Sequence, residues 1–138
     1  MTGRRVPESS LLPATIQVEH ATPDSGETVS ARDPYVERYW LPVLGPTSLV
    51  IVRRFAFDAL TAPMTRYETE TLASELGVSA PTFARAMGRL CRFDLAYAIR
   101  DSREPRSWWS VLAMIPVVNP KHYRRLPDVL ADELASAR

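Results

Sequence analysis

The chain has 138 residues, of which 46% are hydrophobic and 24% charged, and its formal net charge is +1. This length and composition predict one globular domain with a modest core and terminal extensions. A net charge near zero excludes a polycation, so a polyanionic partner would have to be recognised by a local concentration of charge. The single cysteine excludes an intramolecular disulfide and a cysteine-based zinc site.

Patterns for membrane insertion, metal binding and catalysis are absent from the sequence. There is no run of about 18 apolar residues and no apolar core of an export signal, so we expect a cytoplasmic protein without a membrane partner. His20 and His122 have no second ligand at metal spacing. Glycine-rich phosphate loops and serine–histidine–aspartate or cysteine–histidine patterns are also missing. We therefore expect no metal, no cofactor and no enzymatic activity.

Residues 1–32 are rich in proline, serine, threonine and glutamate and show no sustained apolar period. Such a segment cannot bury enough apolar surface to offset the entropy of the chain. The sequence therefore predicts a disordered N-terminal tail over residues 1–32. Within it, residues 14–18 (ATIQV) leave open a short edge strand.

Ordered structure is predicted to begin at Asp33, an N-cap residue that Pro34 follows at the first helical position. A short helix over residues 34–41 should end at Pro42. A second helix is predicted over residues 47–60, where apolar residues recur at helical spacing. This stretch contains the β-rich run LVIV, so a buried strand is the alternative.

The two most regular helical patterns lie within residues 65–96 and are separated only by Gly77, Val78 and Ser79. Such a short break permits only a sharp turn. Gly77 suits the left-handed position after a helix, because glycine has no Cβ to clash there. Ser79 suits the N-cap of the second helix, since its hydroxyl can accept from a backbone N–H of the first turn.

The second helix, residues 80–92, has two faces of opposite character. Its apolar residues Phe83, Met87, Leu90 and Cys91 are predicted to face the core, where a buried thiol is usually inert. The other face carries Ala80, Thr82, Arg85, Arg89 and Arg92, and the helix contains no carboxylate. Small residues allow close approach to a polyanion, and arginine can donate two parallel hydrogen bonds to guanine O6 and N7.

A β-hairpin is predicted after this helix. Residues 95–100 alternate apolar and small residues, and residues 108–115 are aromatic and β-branched. The charged loop between them, residues 101–107, carries Arg103 and Arg106 together with two acids. Beyond the hairpin, residues 121–137 predict one helix broken by a proline, or two short helices.

Residues 71–95 contain Thr71-Leu72-Ala73, Leu76-Gly77-Val78-Ser79, Thr82-Phe83-Ala84-Arg85 and Leu90. This series resembles the helix-turn-helix of winged-helix transcription regulators of the MarR, ArsR and GntR types. Asp94 stands where the family usually has a glycine before the next leucine, and Gly88 interrupts the second helix.

The resemblance implies a mainly α fold with a small β-wing. A winged helix-turn-helix domain would span residues 33–116, after the tail of residues 1–32 and before a C-terminal helical extension, residues 117–138. Such a domain needs a long first helix, which favours the helix over residues 47–60.

The implied function is sequence-specific binding of double-stranded DNA, as in a transcriptional regulator associated with the nucleoid. Helix 80–92 would then lie in the major groove, and the hairpin would be the wing. The DNA-binding residues that follow from the helix face and the resemblance are Ser79, Ala80, Thr82, Arg85, Arg89, Arg92, Arg103 and Arg106.

A homodimer is expected, because DNA half-sites for such domains lie one helical turn apart. The candidate interfaces are residues 34–60 and residues 121–137, the second with leucines spaced by four. The alternative function is a winged-helix protein–protein interaction module in a replication, partition or phage-associated complex. The near-zero net charge and the apolar run over residues 39–52 favour that alternative.

Overall fold

The computed structural model of the protein describes residues 12–100 and 104–137. Its strands are β1 (Thr15–Ala21), β2 (Thr28–Ser30), β3 (Met64–Glu68), β4 (Ala96–Ala98), β5 (Trp108–Leu112) and β6 (Met114–Pro116). Its α-helices are α1 (Leu41–Leu44), α2 (Pro46–Asp58), α3 (Thr69–Glu75), α4 (Ala80–Arg92) and α5 (Asp128–Ser136). A π-helical turn (Val36–Trp40) precedes α1, and a 3-10 helix (Pro120–Arg125) precedes α5.

The fold is α/β, and the prediction of a mainly α fold with a small wing is wrong. About 48% of the structure is helical and 21% is strand. Four strands form a mixed sheet in the order β3-β1-β5-β4, in which β1 runs parallel to β5 and the other pairs are antiparallel. A second sheet pairs β2 with β6. The prediction missed this architecture because it assigned β1 and β2 to a tail.

The predicted disordered tail is also wrong over the residues that the structure describes. Strand β1 lies inside the four-stranded sheet, and its Ile16 and Val18 are fully buried. Only alternate residues of this strand face the core, so its composition remains as polar as that of a loop. That is why composition concealed it. Residues 1–11 of the predicted tail lie outside the described part of the chain.

One face of the sheet packs against the helices and forms the core with them. The buried residues of this core include Ile16, Val18, Trp109 and Val111 from the sheet, Ile51, Val52 and Phe55 from α2, and Phe83, Met87 and Leu90 from α4. The helix predicted over residues 47–60 is thus confirmed as α2. Its LVIV run lies in a helix rather than a strand, with Leu49, Ile51 and Val52 buried and Val50 exposed.

Helical structure continues past Pro42, so the prediction that this proline ends a helix is wrong. Within the π-helical turn the N–H of Leu41 donates to the carbonyl of Val36. Pro42 then lies in the first turn of α1. Gly45, with a φ of 82°, separates α1 from α2.

The helix–turn–helix formed by α3 and α4 is confirmed. Gly77 has a φ of 78°, and Ser79 Oγ accepts from the N–H of Thr82 at 3.2 Å as an N-cap. Helix α4 continues through Gly88 to its predicted end. Asp94 then adopts a φ of 64° at the position where the resembling family has glycine. Aspartate is among the few residues that tolerate this conformation.

The predicted hairpin is present as β4 and β5, with Ala96 opposite Val111. It is not an isolated wing, because β5 also pairs with β1 along its other edge. The predicted C-terminal break is confirmed, since the 3-10 helix and α5 are separate. Leu126 and Leu134 are buried in the core of their own chain.

Candidate nucleic-acid interface

The apolar side of α4 fixes the direction of its polar side. Phe83, Met87 and Leu90 are completely buried. In addition, the buried hydroxyl of Ser48 in the first turn of α2 donates to the carbonyl of Ala86 at 3.0 Å. The middle of α4 is therefore held against α2, and its opposite side is turned away from the core.

The N-terminal end of this outer side is built from short hydrogen-bonded side chains. The hydroxyl of Ser79 donates to Thr82 Oγ1 at 3.0 Å, and Arg85 Nη2 donates to the same atom at 3.1 Å. Arg85 is exposed, and this bond uses one of its five N–H donors. Ala80 adds only a methyl group at this end. Arg85 is thus oriented by Thr82 and retains donors for a ligand.

Arg89, one turn further along α4, is placed differently. Its Nε and Nη2 donate to the carbonyl of Val43 at 3.2 and 2.8 Å, and its guanidinium carbon lies 5.9 Å from the ring centroid of Phe93. The Val43 carbonyl belongs to the last turn of α1, where intrahelical partners are lacking. Arg89 therefore ties α4 to α1 and offers a ligand mainly its positive charge.

A groove of about 760 Å³ lies between α4, the start of α2 and strand β5. The predicted site residues that line it are Thr82, Arg85, Arg89, Arg92 and Arg106. Ser79 and Ala80 are not among its lining residues, and Arg103 lies outside the described part of the chain. Every charged residue that the structure places along the groove is an arginine.

Arg106 reaches this groove from the loop before β5. Its φ is 64°, and its guanidinium carbon lies 5.6 Å from the ring centroid of Trp109. Trp109 Nε1 donates to the Arg106 carbonyl at 2.7 Å, and its ring is buried. Trp109 therefore packs in the core and also holds the base of the loop.

Several arginines outside the groove are paired with carboxylates, whereas two arginines in the groove are not paired with any carboxylate that the structure describes. Away from the groove, Arg38, Arg53 and Arg54 form ion pairs with carboxylates. Within residues 12–100 and 104–137, no carboxylate lies within 4.0 Å of the guanidinium nitrogens of Arg85 or Arg92. The net charge of +1 therefore conceals a basic surface.

Two features of the groove were missed from the sequence. Cys91 was expected in the core but is half-buried and lines the groove, because it lies at the border of the apolar stripe. The first turn of α2, with Thr47 and Ser48, forms the opposite wall. Gly45 and Pro46 mark this helix start in the sequence, but no local signal indicates that it faces α4.

Features of other functional classes are few in the structure. Burial lowers the pKa of both histidines, and Lys121 and Arg125 lower that of His122 further. Across the described ranges, no group of three or more histidine, cysteine, aspartate or glutamate residues could hold a metal ion. In the same ranges no helix has the length and apolar character needed to cross a bilayer.

Comparisons with protein-family models, curated proteins and solved structures find no match to this chain.

Proposed function

We propose that the protein binds double-stranded DNA in a sequence-dependent manner through α4, as a transcriptional regulator. The observation that carries the proposal is the groove along α4, in which the charged residues are all arginines. Duplex DNA carries one negative charge per roughly 1.7 Å of its axis, so a surface without carboxylates is what close approach requires.

Different parts of the surface have different roles in this proposal. Ala80 and Thr82 allow the start of α4 to approach base edges, and Arg85 donates to a base such as guanine. Arg92 and Arg106 contribute charge to backbone phosphates, which supply affinity and orientation rather than sequence information. Arg89 keeps α4 in place against α1.

The proposal is tested by selecting genomic fragments with the purified protein and measuring their affinity by fluorescence anisotropy. We expect Arg85→Ala to weaken binding to the selected sequence by ~1–3 kcal/mol and to relax its sequence preference. Arg92→Ala should weaken binding to all sequences similarly. Unchanged affinity in both variants would refute α4 as the DNA-binding element.

Arg66→Ala is the matched control, since it removes the same charge from another surface. Arg66 is exposed on β3, at the edge of the sheet opposite β4. Three strand spacings separate these edges, which is roughly 14 Å. Affinity for the selected sequence should not change in this variant.

A protein-interaction module is the second candidate, and exposed apolar side chains on and after α2 favour it. Val50, Phe57 and Leu60 are 46%, 60% and 73% exposed. A duplex titration at several salt concentrations separates the two functions. DNA binding predicts an affinity that falls steeply with salt, whereas an interaction module predicts little or no binding to DNA at any salt concentration.

A further inference from the structure

The 3-10 helix Pro120–Arg125 lies against the C-terminal end of α4. The contact is made through Phe93, which follows the last residue of α4 and is 4% exposed. The guanidinium carbon of Arg125 lies 5.1 Å from its ring centroid, and the His122 ring meets it edge-on at 5.0 Å. Arg89 of α4 contacts the same ring. The 3-10 helix is therefore a direct neighbour of the basic side of α4.

This segment carries a second concentration of unneutralised positive charge. Lys121, Arg124 and Arg125 are exposed, and the sequence has no acid between residues 105 and 127. In the ranges that the structure describes, no carboxylate lies within 4.0 Å of these three side chains. Burial and the charges of Lys121, Arg125 and Arg124 lower the pKa of the neighbouring His122, whereas the carboxylate of Asp94 raises it.

The 3-10 helix is fixed at both ends, so its cations are presented in a defined position. Asn119 Oδ1 accepts from the N–H of Lys121 at 3.0 Å and caps its start. Leu126, directly after it, is buried in the core. Binding through this segment would not require folding of a loose terminus, which removes one of the usual entropic costs of association.

We propose that Pro120–Arg125 is a second phosphate-binding segment for the backbone of duplex DNA, contacted by Lys121 and Arg124. The inference rests on the proposed function of α4 and extends its footprint. Helix α4 has 13 residues and is about 20 Å long, and the 3-10 helix packs on Phe93 directly after its last residue. A duplex lying along α4 therefore meets further positive charge where α4 ends.

The test is the salt dependence of affinity for a selected duplex, in wild type and in the double variant Lys121→Gln/Arg124→Gln. Each phosphate neutralised contributes about 0.9 to the slope of log affinity against log salt concentration. Loss of both contacts should make the slope less steep by about 1.8. The loss should be similar on unrelated sequences, because phosphate contacts do not read bases. Arg124→Lys keeps the charge and should keep the slope.

Matched measurements separate failure of this inference from failure of the proposed function. Arg66→Gln removes a charge from β3 and should leave the slope unchanged. One outcome refutes only the second segment: wild type shows a steep slope, Arg85→Ala weakens binding, and the double variant keeps the wild-type slope. In that case α4 remains the DNA-binding element. If wild type binds no duplex at any salt concentration, both proposals fail. Equal thermal midpoints of wild type and the double variant confirm that folding is unaffected.

Discussion

Arg85 and Arg89 have the same side chain one turn apart, yet replacing each by alanine should affect different properties. Arg89→Ala removes two hydrogen bonds to the Val43 carbonyl and the contact with Phe93. Hydrogen bonds of charged groups contribute about 1.5–3 kcal/mol, and a cation–aromatic contact at an exposed site about 0.5–1 kcal/mol. Because Arg89 is partly exposed, water replaces part of this loss. We expect a decrease of about 2 kcal/mol in the free energy of unfolding.

Urea denaturation followed by circular dichroism measures this difference. With a denaturant slope of roughly 2 kcal/mol per M, the midpoint of Arg89→Ala should fall by about 1 M. Arg85→Ala should change the unfolding free energy by less than about 0.5 kcal/mol, as is usual for an exposed residue. Arg89→Lys keeps the charge but not the paired donors and should lose most of the same stability. If Arg89→Ala is as stable as Arg85→Ala, Arg89 does not anchor α4 to α1.

Two further predictions concern the C-terminal helix and self-association. Arg38 donates to the Glu133 carboxylate, at 2.6 Å in the shorter of its two hydrogen bonds, and the Tyr39 hydroxyl donates to it as well. These bonds lower the pKa of Glu133 to about 2 from an ordinary value of 4.5. A lowered pKa in the folded state means that the pairing stabilises the protein above pH 4.5 and is lost as the pH falls towards 2. Glu133→Gln should therefore have a lower urea midpoint than wild type at pH 7, with the difference shrinking at pH 3; an equal difference at both values would contradict this. We also propose that the protein dimerises at high micromolar concentration through the exposed side of α2, so that Phe57→Glu should sediment as a monomer; a monomeric wild type would contradict it.

The helix–turn–helix could be predicted because its signals are local. Gly77 and Ser79 fix the turn through their own backbone preferences, and the period of apolar residues fixes the inner face of α4. The same reasoning left open an edge strand over residues 14–18 but could not place β1 inside the sheet. Its place in the sheet depends on pairing with β5, a contact between residues far apart in the sequence that no short window contains.

The candidate site was predicted in part for the same reason. The sequence identifies which arginines share the outer face of α4, since that follows from helical spacing alone. It cannot distinguish Arg85 from Arg89, because the difference is the Val43 carbonyl contributed by α1. Nor can it place the start of α2 across from α4, since the bond from Ser48 to Ala86 depends on how two helices pack.

The position of β1 has a consequence for how the protein is made and handled. Gln17 pairs with Trp108, so the central pair of strands can form only after most of the chain has left the ribosome. Pairing over such a long sequence separation slows folding and leaves apolar strand residues unprotected in the meantime. A shortened gene product that begins after residue 21 would keep α4 and the arginines of that helix. It would nevertheless expose the edge of β5, and it should aggregate rather than bind DNA.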